Sequence, residues 1–159
     1  MPIDKDAFRR VLSNFASGVT VVTTLDGDRQ PHGLTATAFT SVSLEPPLVL
    51  VCIDKKAETY PHFDAAGVFA VNFLSVEQRD VSQHFAKHGG DKFSGLAWQR
   101  GVLGTPILAG SIGHVECRIT NGYDGGDHTI YVGEIEAADS NEGAPLLHFR
   151  HAYHRADRA

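Results

Sequence analysis

Runs of β-branched and aromatic residues follow one another along this chain without the regular helical segments that a parallel sheet needs. Residues 18–25, 48–53 and 67–74 have the sequences GVTVVTTL, LVLVCI and GVFAVNFL, which are typical of β-strands. Because strand follows strand, the order favours antiparallel pairing over βαβ crossovers. The sequence therefore predicts a mainly β protein, an antiparallel barrel with about six or seven strands and three short helices.

Capping residues and apolar periodicity set the expected boundaries. Asp4 or Asp6 is expected to cap a first helix with one apolar face, and Gly18 to end it. Residues 48–53 are nearly continuously apolar, so that strand is expected to be buried on both faces. The other expected elements are helices at 57–65 and 76–88, strands at 30–35, 39–43, 112–120, 128–137 and 145–149, and glycine-containing loops at 89–96 and 121–127.

Length and charge narrow the class of protein. The 159 residues suit a single domain over 1–159, and a net charge of −5 without a basic cluster disfavours nucleic-acid binding. No apolar run approaches the roughly 20 residues that cross a bilayer, and the N-terminus lacks a secretory core. Cys52 and Cys117 lie in apolar runs, so free thiols of a cytoplasmic protein are expected.

Several catalytic motifs are missing from the sequence. It contains no G-x-G-x-x-G after a strand, no P-loop, no G-x-S-x-G and no C-x-x-C, which disfavours the corresponding nucleotide, nucleophile and redox sites. His84 and His88 have the spacing of metal ligands on a helix, but Phe85 stands where a zincin needs glutamate, and no third ligand is evident. No metal site is therefore expected.

Hydroxyl-bearing and small residues alternate in the segment Thr35–Ser43. Thr35, Thr37, Thr40, Ser41 and Ser43 interleave there with Ala36 and Ala38. A hydroxyl-rich solvent face is one interpretation of this pattern. The other is a ligand site, because small side chains expose backbone N–H and C=O groups to a flat ring that has donors and acceptors along one edge.

This segment resembles the flavin-binding stretch of the flavin reductase-like family, the split-barrel reductases that supply reduced flavin to two-component monooxygenases. Further stretches resemble that family in the same order along nearly the whole chain: FxxxLSxFASGVTVVTT from Phe8, LVLVCIDKKAETYPHF from Leu48, FAVNFL from Phe69, DKFSG from Asp91, GGDHTIYVGEI from Gly125 and PLLHFRHAYHR from Pro145. The resemblance implies a single-domain, FMN-binding split β-barrel.

The resemblance also implies a flavin site for FAD or FMN. Its isoalloxazine ring would lie along Thr35–Ala38, and Lys55, Lys56 and Thr59 would meet the phosphate, since cations and a hydroxyl suit an anion. Asn72, a polar residue in an apolar strand, either bonds neighbouring backbone or faces the flavin. The expected flavin-binding residues are Thr35, Ala36, Thr37, Ala38, Ser41, Cys52, Ile53, Lys55, Lys56, Thr59, Asn72 and Lys92.

On the nicotinamide side the resemblance points to His128 and Tyr153, with NADH or NADPH as the hydride donor. Hydride transfer needs stacking and exclusion of water rather than an acid, base, nucleophile or metal, so no such catalytic residue is expected. The family further implies a homodimer with flavin sites near the subunit interface and a monooxygenase partner. The alternatives are an oxidase with tightly bound flavin and a non-catalytic flavin- or haem-binding module.

Overall fold

The computed structural model describes residues 2–159, which form short helices and many strands. The helices are α1 (Lys5–Leu12), α2 (Tyr60–Ala66) and α3 (Arg79–Ala86), with a 3-10 turn at Val76–Gln78. The strands are β1 (Ser17–Gly18), β2 (Thr20–Leu25), β3 (Pro31–Ala36), β4 (Phe39–Ser43), β5 (Leu48–Asp54), β6 (Val68–Phe73), β7 (Trp98–Arg100), β8 (Pro106–Leu108), β9 (Gly113–Gly125), β10 (His128–Ser140), β11 (Leu146–Phe149) and β12 (Ala152–Arg155).

Seven of these strands form one antiparallel sheet in the order β3-β2-β6-β9-β10-β5-β4. Its two edge strands, β3 and β4, are consecutive in the chain and are joined only by Thr37 and Ala38. The N–H of Cys52 on β5 donates to the Ala38 carbonyl at 3.0 Å. The sheet therefore curls until its edges are neighbours, and the predicted antiparallel, mainly β fold is confirmed.

Two apolar clusters fill the structure on opposite faces of β2. Val22 belongs to the cluster inside the curled sheet, with Val51, Phe63, Phe69, Val71 and Tyr131. Val21 belongs to the cluster under α3, with Leu74, Phe85, Phe93, Leu108 and Leu146. Every residue of β2 is buried, because one face is covered by each cluster.

The expectation that β5 is buried on both faces is wrong. Val49, Val51 and Ile53 point into the core, but Leu48, Leu50 and Cys52 on the other face are only half-buried. A continuous apolar run predicts two covered faces only if another layer exists on the outside. Within residues 2–159 no such layer covers the outer face of β5.

Several predicted boundaries also need correction. Helix α1 is capped by Asp4, whose Oδ1 accepts from the Ala7 N–H at 2.8 Å, but it ends at Leu12, and Gly18 is a strand residue paired with Leu147. The expected loop at 121–127 is mostly strand, since β9 and β10 pair as far as Gly125 and His128. Strands β7, β8 and β12 are too short or too polar to have been predicted.

The apolar face of α1 has no cover within the described chain. Phe8, Val11 and Leu12 of the helix, and Phe15 just beyond its end, are between 52% and 81% exposed, although the helix has the predicted amphipathic spacing. The face therefore provides no stability to the isolated chain, and its side chains are free to meet another surface.

Both cysteines are free thiols, as predicted, with Cys117 buried and Cys52 half-buried. Burial raises the pKa of both thiols, that of Cys117 to about 12, which leaves them protonated and unreactive at neutral pH. Among residues 2–159 no helix has the length and apolar character needed to cross a membrane.

A close contact at Gly133 makes this position a test of the packing inside the sheet. A Cβ atom added there would lie 2.7 Å from the Cβ of Cys117 and from the ring of Phe69. We expect Gly133→Ala to lower the free energy of unfolding by about 1–3 kcal/mol through overpacking. Gly27→Ala is the control, because a Cβ at Gly27 meets nothing within 4 Å. Equal urea midpoints for the two variants would contradict the described packing.

Candidate functional site

Three strand ends converge at one end of the sheet. The pairing places Phe39 at the start of β4 opposite Val51, and His128 at the start of β10 opposite Asp54 at the end of β5. Cys52, two residues from the end of β5, pairs with Ile130. The curled sheet thus brings predicted flavin-side residues, Ala38 and Cys52, to the same end as the predicted nicotinamide residue His128.

The link Thr37–Ala38 exposes backbone at this end of the sheet. Its carbonyls are used, since Thr37 accepts from the Phe39 N–H at 3.0 Å and Ala38 accepts from Cys52. The N–H groups of Thr37 and Ala38 make no hydrogen bond to any other part of residues 2–159. Both residues are exposed, so two donors are available to a bound ring.

The predicted ring-facing residues differ in their burial and in their hydrogen bonds. Ala36 and Ile53 are buried, and their side chains belong to the core. The Thr35 hydroxyl donates to the Ser82 carbonyl at 2.6 Å, so it ties β3 to α3. Ser41 is exposed on β4. Of the predicted ring-facing residues, Thr37, Ala38 and Ser41 are therefore exposed and Cys52 is half-buried, whereas Thr35 holds the strand in place.

The two lysines that follow β5 do not form an open cationic pair. The Lys55 ammonium bonds the Asp124 carboxylate and donates to the Gly126 carbonyl at 2.7 Å. The hydrogen bond between Lys55 and Asp124 raises the pKa of Lys55 and lowers the pKa of Asp124. Lys55 thus fastens the β9–β10 turn, whereas Lys56 is exposed to solvent.

A cavity of about 580 Å³ lies beside the start of β3, and Gly33, Thr59 and Lys92 are among the residues that line it. The Thr59 hydroxyl donates to the Gly33 carbonyl at a long 3.3 Å, and Lys92 Nζ donates to the Phe85 carbonyl at 3.3 Å. Burial lowers the pKa of Lys92, and the Glu58 carboxylate opposes that shift in part. Lys92 and Thr59 are therefore two of the expected flavin-binding residues that line this cavity.

Sequence reasoning missed the rest of the cavity wall. Asp26, His32, Trp98 and Arg100 also line it, and Trp98 packs in addition against the cluster under α3. The short strand β7, which carries Trp98 and Arg100, has no periodic pattern of its own. Its position depends on contacts with residues that are distant in the sequence.

Asn72 has a structural role and does not face the site. Its side chain is fully buried and bonds only backbone: Nδ2 donates to Val21 at 3.2 Å and to Pro106 at 3.4 Å, and Oδ1 accepts from Leu108 at 2.9 Å. Of the two interpretations of Asn72, the backbone one is correct, because the amide holds β8 against β2 and β6.

The two nicotinamide-side residues occupy different surroundings. His128 is half-buried, and its Nδ1 lies 2.7 Å from Oδ1 of Asp127, which fixes the ring beside the end of β5. The Tyr153 hydroxyl bonds the buried Ser82 hydroxyl at 2.8 Å. Because Ser82 also accepts from Thr35, Tyr153 is connected through α3 to the strand that leads to the Thr37–Ala38 link.

The two histidines with metal-ligand spacing, His84 and His88, do not lie on one helix. Helix α3 ends at Ala86, so His88 lies outside it, and His84 Nε2 lies 2.8 Å from the Lys92 carbonyl oxygen. Among residues 2–159, no group of three or more histidine, cysteine and acidic side chains is close enough to hold a metal ion.

Comparison with known proteins defines the family. A family model described as flavin reductase like domain matches residues 12–157, and the chain belongs to this family. The reductase subunit HsaB of a flavin-dependent monooxygenase from Rhodococcus jostii is 40% identical over 152 residues, covering 95% of this chain and 77% of that protein. An NADH-dependent FAD reductase from Streptomyces globisporus is 45% identical over 142 residues, with coverages of 86% and 77%.

A solved structure agrees over the whole fold. The NADH:FAD oxidoreductase SgcE6 of Streptomyces globisporus, in complex with NAD and FAD fragments, superposes with a TM-score of 0.90 at 40% identity. The match covers 97% of this chain and 93% of that one. The fold and its strand order are thus those of a flavin reductase.

The Tyr153–Ser82 contact makes a prediction about the C-terminal hairpin. Tyr153→Phe leaves the buried Ser82 hydroxyl without its side-chain partner, so we expect the free energy of unfolding to fall by about 1 kcal/mol. Tyr123→Phe is the matched control, since Tyr123 is 53% exposed and should change stability by less than about 0.5 kcal/mol. Urea denaturation measures both, and an unchanged Tyr153→Phe midpoint would show that the contact contributes no stability.

Proposed function

We propose that this protein is an NAD(P)H:flavin oxidoreductase that reduces FAD or FMN and supplies the reduced flavin to a partner monooxygenase. The single observation that carries the proposal is the convergence of the Thr37–Ala38 link, Cys52 and His128 at one end of the sheet. A cavity lined by Lys92 lies farther back along β3. Membership of the flavin reductase-like family and the names of the relatives support it.

The donor set fits a flavin. Free N–H groups at Thr37 and Ala38 suit the polar edge of the ring, and they would stabilise the negative charge that reduction places there. From Thr37 back along β3 to Gly33 is about 13 Å at about 3.3 Å per residue, a span that leads to the cavity holding Thr59 and Lys92. An anionic phosphate there would recruit the partly desolvated ammonium of Lys92 and the loosely bonded hydroxyl of Thr59.

The nicotinamide side follows from the same geometry. A bound flavin supplies a ring that accepts a hydride, and the protein must place the donor carbon against it at roughly 3–3.5 Å. His128, whose ring is held by Asp127, is the residue proposed to bond the nucleotide on the open side of the ring. This chemistry requires neither a general base nor a nucleophile from the chain, so the residues of the site bind, orient and exclude water.

Reduced flavin has to reach another enzyme, and relatives support that role. HsaB is named as the reductase subunit of a flavin-dependent monooxygenase, which is the kind of partner proposed for this chain. The relatives described above are named as reductases or as an NADH:FAD oxidoreductase, and none of these names supports an oxidase or a haem-binding module. Flavin then acts as a diffusible substrate, and the whole chain, residues 1–159, acts as one domain.

Two uncovered apolar surfaces support a homodimer. One is the exposed face of α1, and the other is the outer face of the sheet, where Leu48, Leu50, Ile130 and Val132 are only half-buried. The outer face also contains Cys52, so a second copy packed there would lie beside the flavin ring.

Two free thiols suit the reducing cytoplasm.

The variant His128→Ala tests whether the nucleotide and the flavin are bound by different residues of the site. Wild-type protein should oxidise NADH or NADPH in the presence of FAD or FMN, followed by absorbance at 340 nm. For His128→Ala we expect the KM for the nucleotide to rise about tenfold, the value of one lost hydrogen bond, while the flavin Kd changes less than about twofold. The control is His114→Ala, which removes a half-buried histidine on β9 and should alter neither the nucleotide KM nor the flavin Kd.

Absence of activity in the wild type would contradict the proposed reaction. Equal losses of nucleotide and flavin affinity in His128→Ala, or no loss of either, would contradict only the assignment of His128 to the nicotinamide side.

A charge introduced at Phe15, just after α1, tests the dimer. Phe15 is 81% exposed, and Phe15→Asp should weaken dimerisation by at least about 2 kcal/mol, or about 30-fold in Kd, because it removes a buried phenyl group and adds a charge. Val102→Asp is the control, since Val102 is 80% exposed on the loop between β7 and β8. Sedimentation velocity should give a dimer for the control and a monomer for Phe15→Asp. A monomeric wild type would refute the dimer.

A further inference from the structure

A buried serine joins the strand that leads to the Thr37–Ala38 link to the C-terminal hairpin. Ser82 lies on α3, and its side chain is fully buried. Its hydroxyl bonds the Tyr153 hydroxyl at 2.8 Å, and its main-chain carbonyl accepts from the Thr35 hydroxyl at 2.6 Å. Thr35 belongs to β3 and Tyr153 to β12. Both strands are therefore tied to α3 through the same residue.

Burial determines which of the two hydroxyl groups donates. A buried hydroxyl proton needs an acceptor, and a serine on a helix commonly uses the carbonyl of the preceding turn. Ser82 does not do so. Within residues 2–159 the Tyr153 oxygen is the only hydrogen-bond partner of the Ser82 hydroxyl. The Ser82 hydroxyl therefore donates, and the Tyr153 oxygen accepts.

This direction leaves the phenolic proton of Tyr153 available. The Tyr153 hydroxyl has Ser82 as its only hydrogen-bond partner among the described residues, and that bond uses a lone pair of its oxygen. The side chain is half-buried. A phenol that accepts one hydrogen bond also becomes a better donor in the next one. Tyr153 can thus donate to an oxygen atom of a bound molecule.

Other contacts fix the plane of the Tyr153 ring but not the direction of its proton. The Arg79 guanidinium lies 5.5 Å from the ring centroid. The ring of His148, which is paired with Tyr153 across the hairpin, approaches at 71° with centroids 6.1 Å apart. Both contacts involve the aromatic ring. The Ser82 hydroxyl is the contact that orients the phenolic O–H.

We propose that Ser82 is a positioning residue, whose hydroxyl directs the phenolic proton of Tyr153 toward an acceptor oxygen of the nicotinamide nucleotide. The inference rests on the proposed function and on the expected nicotinamide role of Tyr153. Ser82 is buried and acts through Tyr153. Loss of its hydroxyl should therefore affect the nucleotide and spare the flavin, because the carbonyl that holds Thr35 belongs to the main chain and remains.

The full-length variant Ser82→Ala tests this assignment in steady-state oxidation of NADH or NADPH with FAD or FMN. The KM for the nucleotide should rise at least about threefold, as expected for residues coupled by direct contact, while the flavin Kd changes less than about twofold. The matched control is Ser111→Ala. Ser111 is also buried, and its hydroxyl has no hydrogen-bond partner within residues 2–159, so neither constant should change.

A double variant separates positioning from structural support. Tyr153→Phe should raise the nucleotide KM about tenfold through the loss of one hydrogen bond, and adding Ser82→Ala to it should raise the KM no further. Ser82→Cys, whose thiol is a weak donor, should recover part of the loss seen in Ser82→Ala. If Ser82→Ala does not fold, Ser82→Cys provides the same comparison with a smaller rise.

Two results overturn the proposal. One is a lower urea midpoint with an unchanged nucleotide KM in Ser82→Ala, or in Ser82→Cys where that variant replaces it, which is the result of a purely structural role. The other is a KM in the double variant that equals the product of the two separate rises, which would show that Ser82 does not act through Tyr153.

Failure of the proposed function gives a different result. A wild type that oxidises no nucleotide in the presence of flavin contradicts the reaction, whereas an active wild type with an unchanged KM in Ser82→Ala contradicts only the role of Ser82. Calorimetry with NAD⁺ repeats the comparison without turnover. Equal Kd values for NAD⁺ in the wild type and Ser82→Ala would overturn the positioning role even in a protein that reduces no flavin, and a higher Kd in Ser82→Ala would support it.

Discussion

The structure depends on the closure of one antiparallel sheet by a link of two residues. Strands β3 and β4 are the opposite edges of a seven-stranded sheet, yet Thr37 and Ala38 alone connect them. Two residues span only about 7 Å, so the sheet must curl around its contents. The inner cluster of Phe63, Phe69 and Tyr131 fills the enclosed space. Closure also leaves the link itself outside the ladder, with two N–H groups exposed.

Hydrogen bonds and strand pairing around the link between β3 and β4 set the positions of the other candidate site residues. The Cys52–Ala38 hydrogen bond sets β5 beside the link, and the β5–β10 pairing then fixes His128 two positions further along. Lys55 and Asp124 fasten the turn next to His128. On the other side, Thr35 and Tyr153 meet at Ser82 and tie β3 and the C-terminal hairpin to α3. Residues that resemble binding groups thus often hold the binding surface in place.

Local pattern was sufficient to predict the strands that carry the core. The runs at 18–25 and 67–74 and the strand at 39–43 were located correctly, because β-branched composition and turn residues are local signals. The two-sided burial of β5 could not be judged locally, since it depends on whether another layer covers that strand. The Asp124 partner of Lys55 is 69 residues away, and no spacing rule brings the two together. Trp98 and Arg100 owe their position to Glu116, on another strand.

The family resemblance predicted the fold class and the reaction, whereas packing determined which of the expected site residues are exposed. Asn72, Ala36 and Ile53 belong to the core, and Lys55 belongs to a turn. Lys92, which a reader of the sequence would weigh equally as a plain surface lysine, lines the cavity. The sequence shows that both lysines are charged. Only the packing of the fold determines that Lys55 lies in a turn and that Lys92 lines the cavity.

A flavin titration followed by amide NMR tests the central claim, that a flavin ring binds at the sheet closure. The predicted result is that FMN or FAD shifts the amide signals of Thr37, Ala38, Cys52 and His128 most strongly and with one common Kd. Saturable shifts confined to residues away from the Thr37–Ala38 link would contradict the account, whatever the protein's activity.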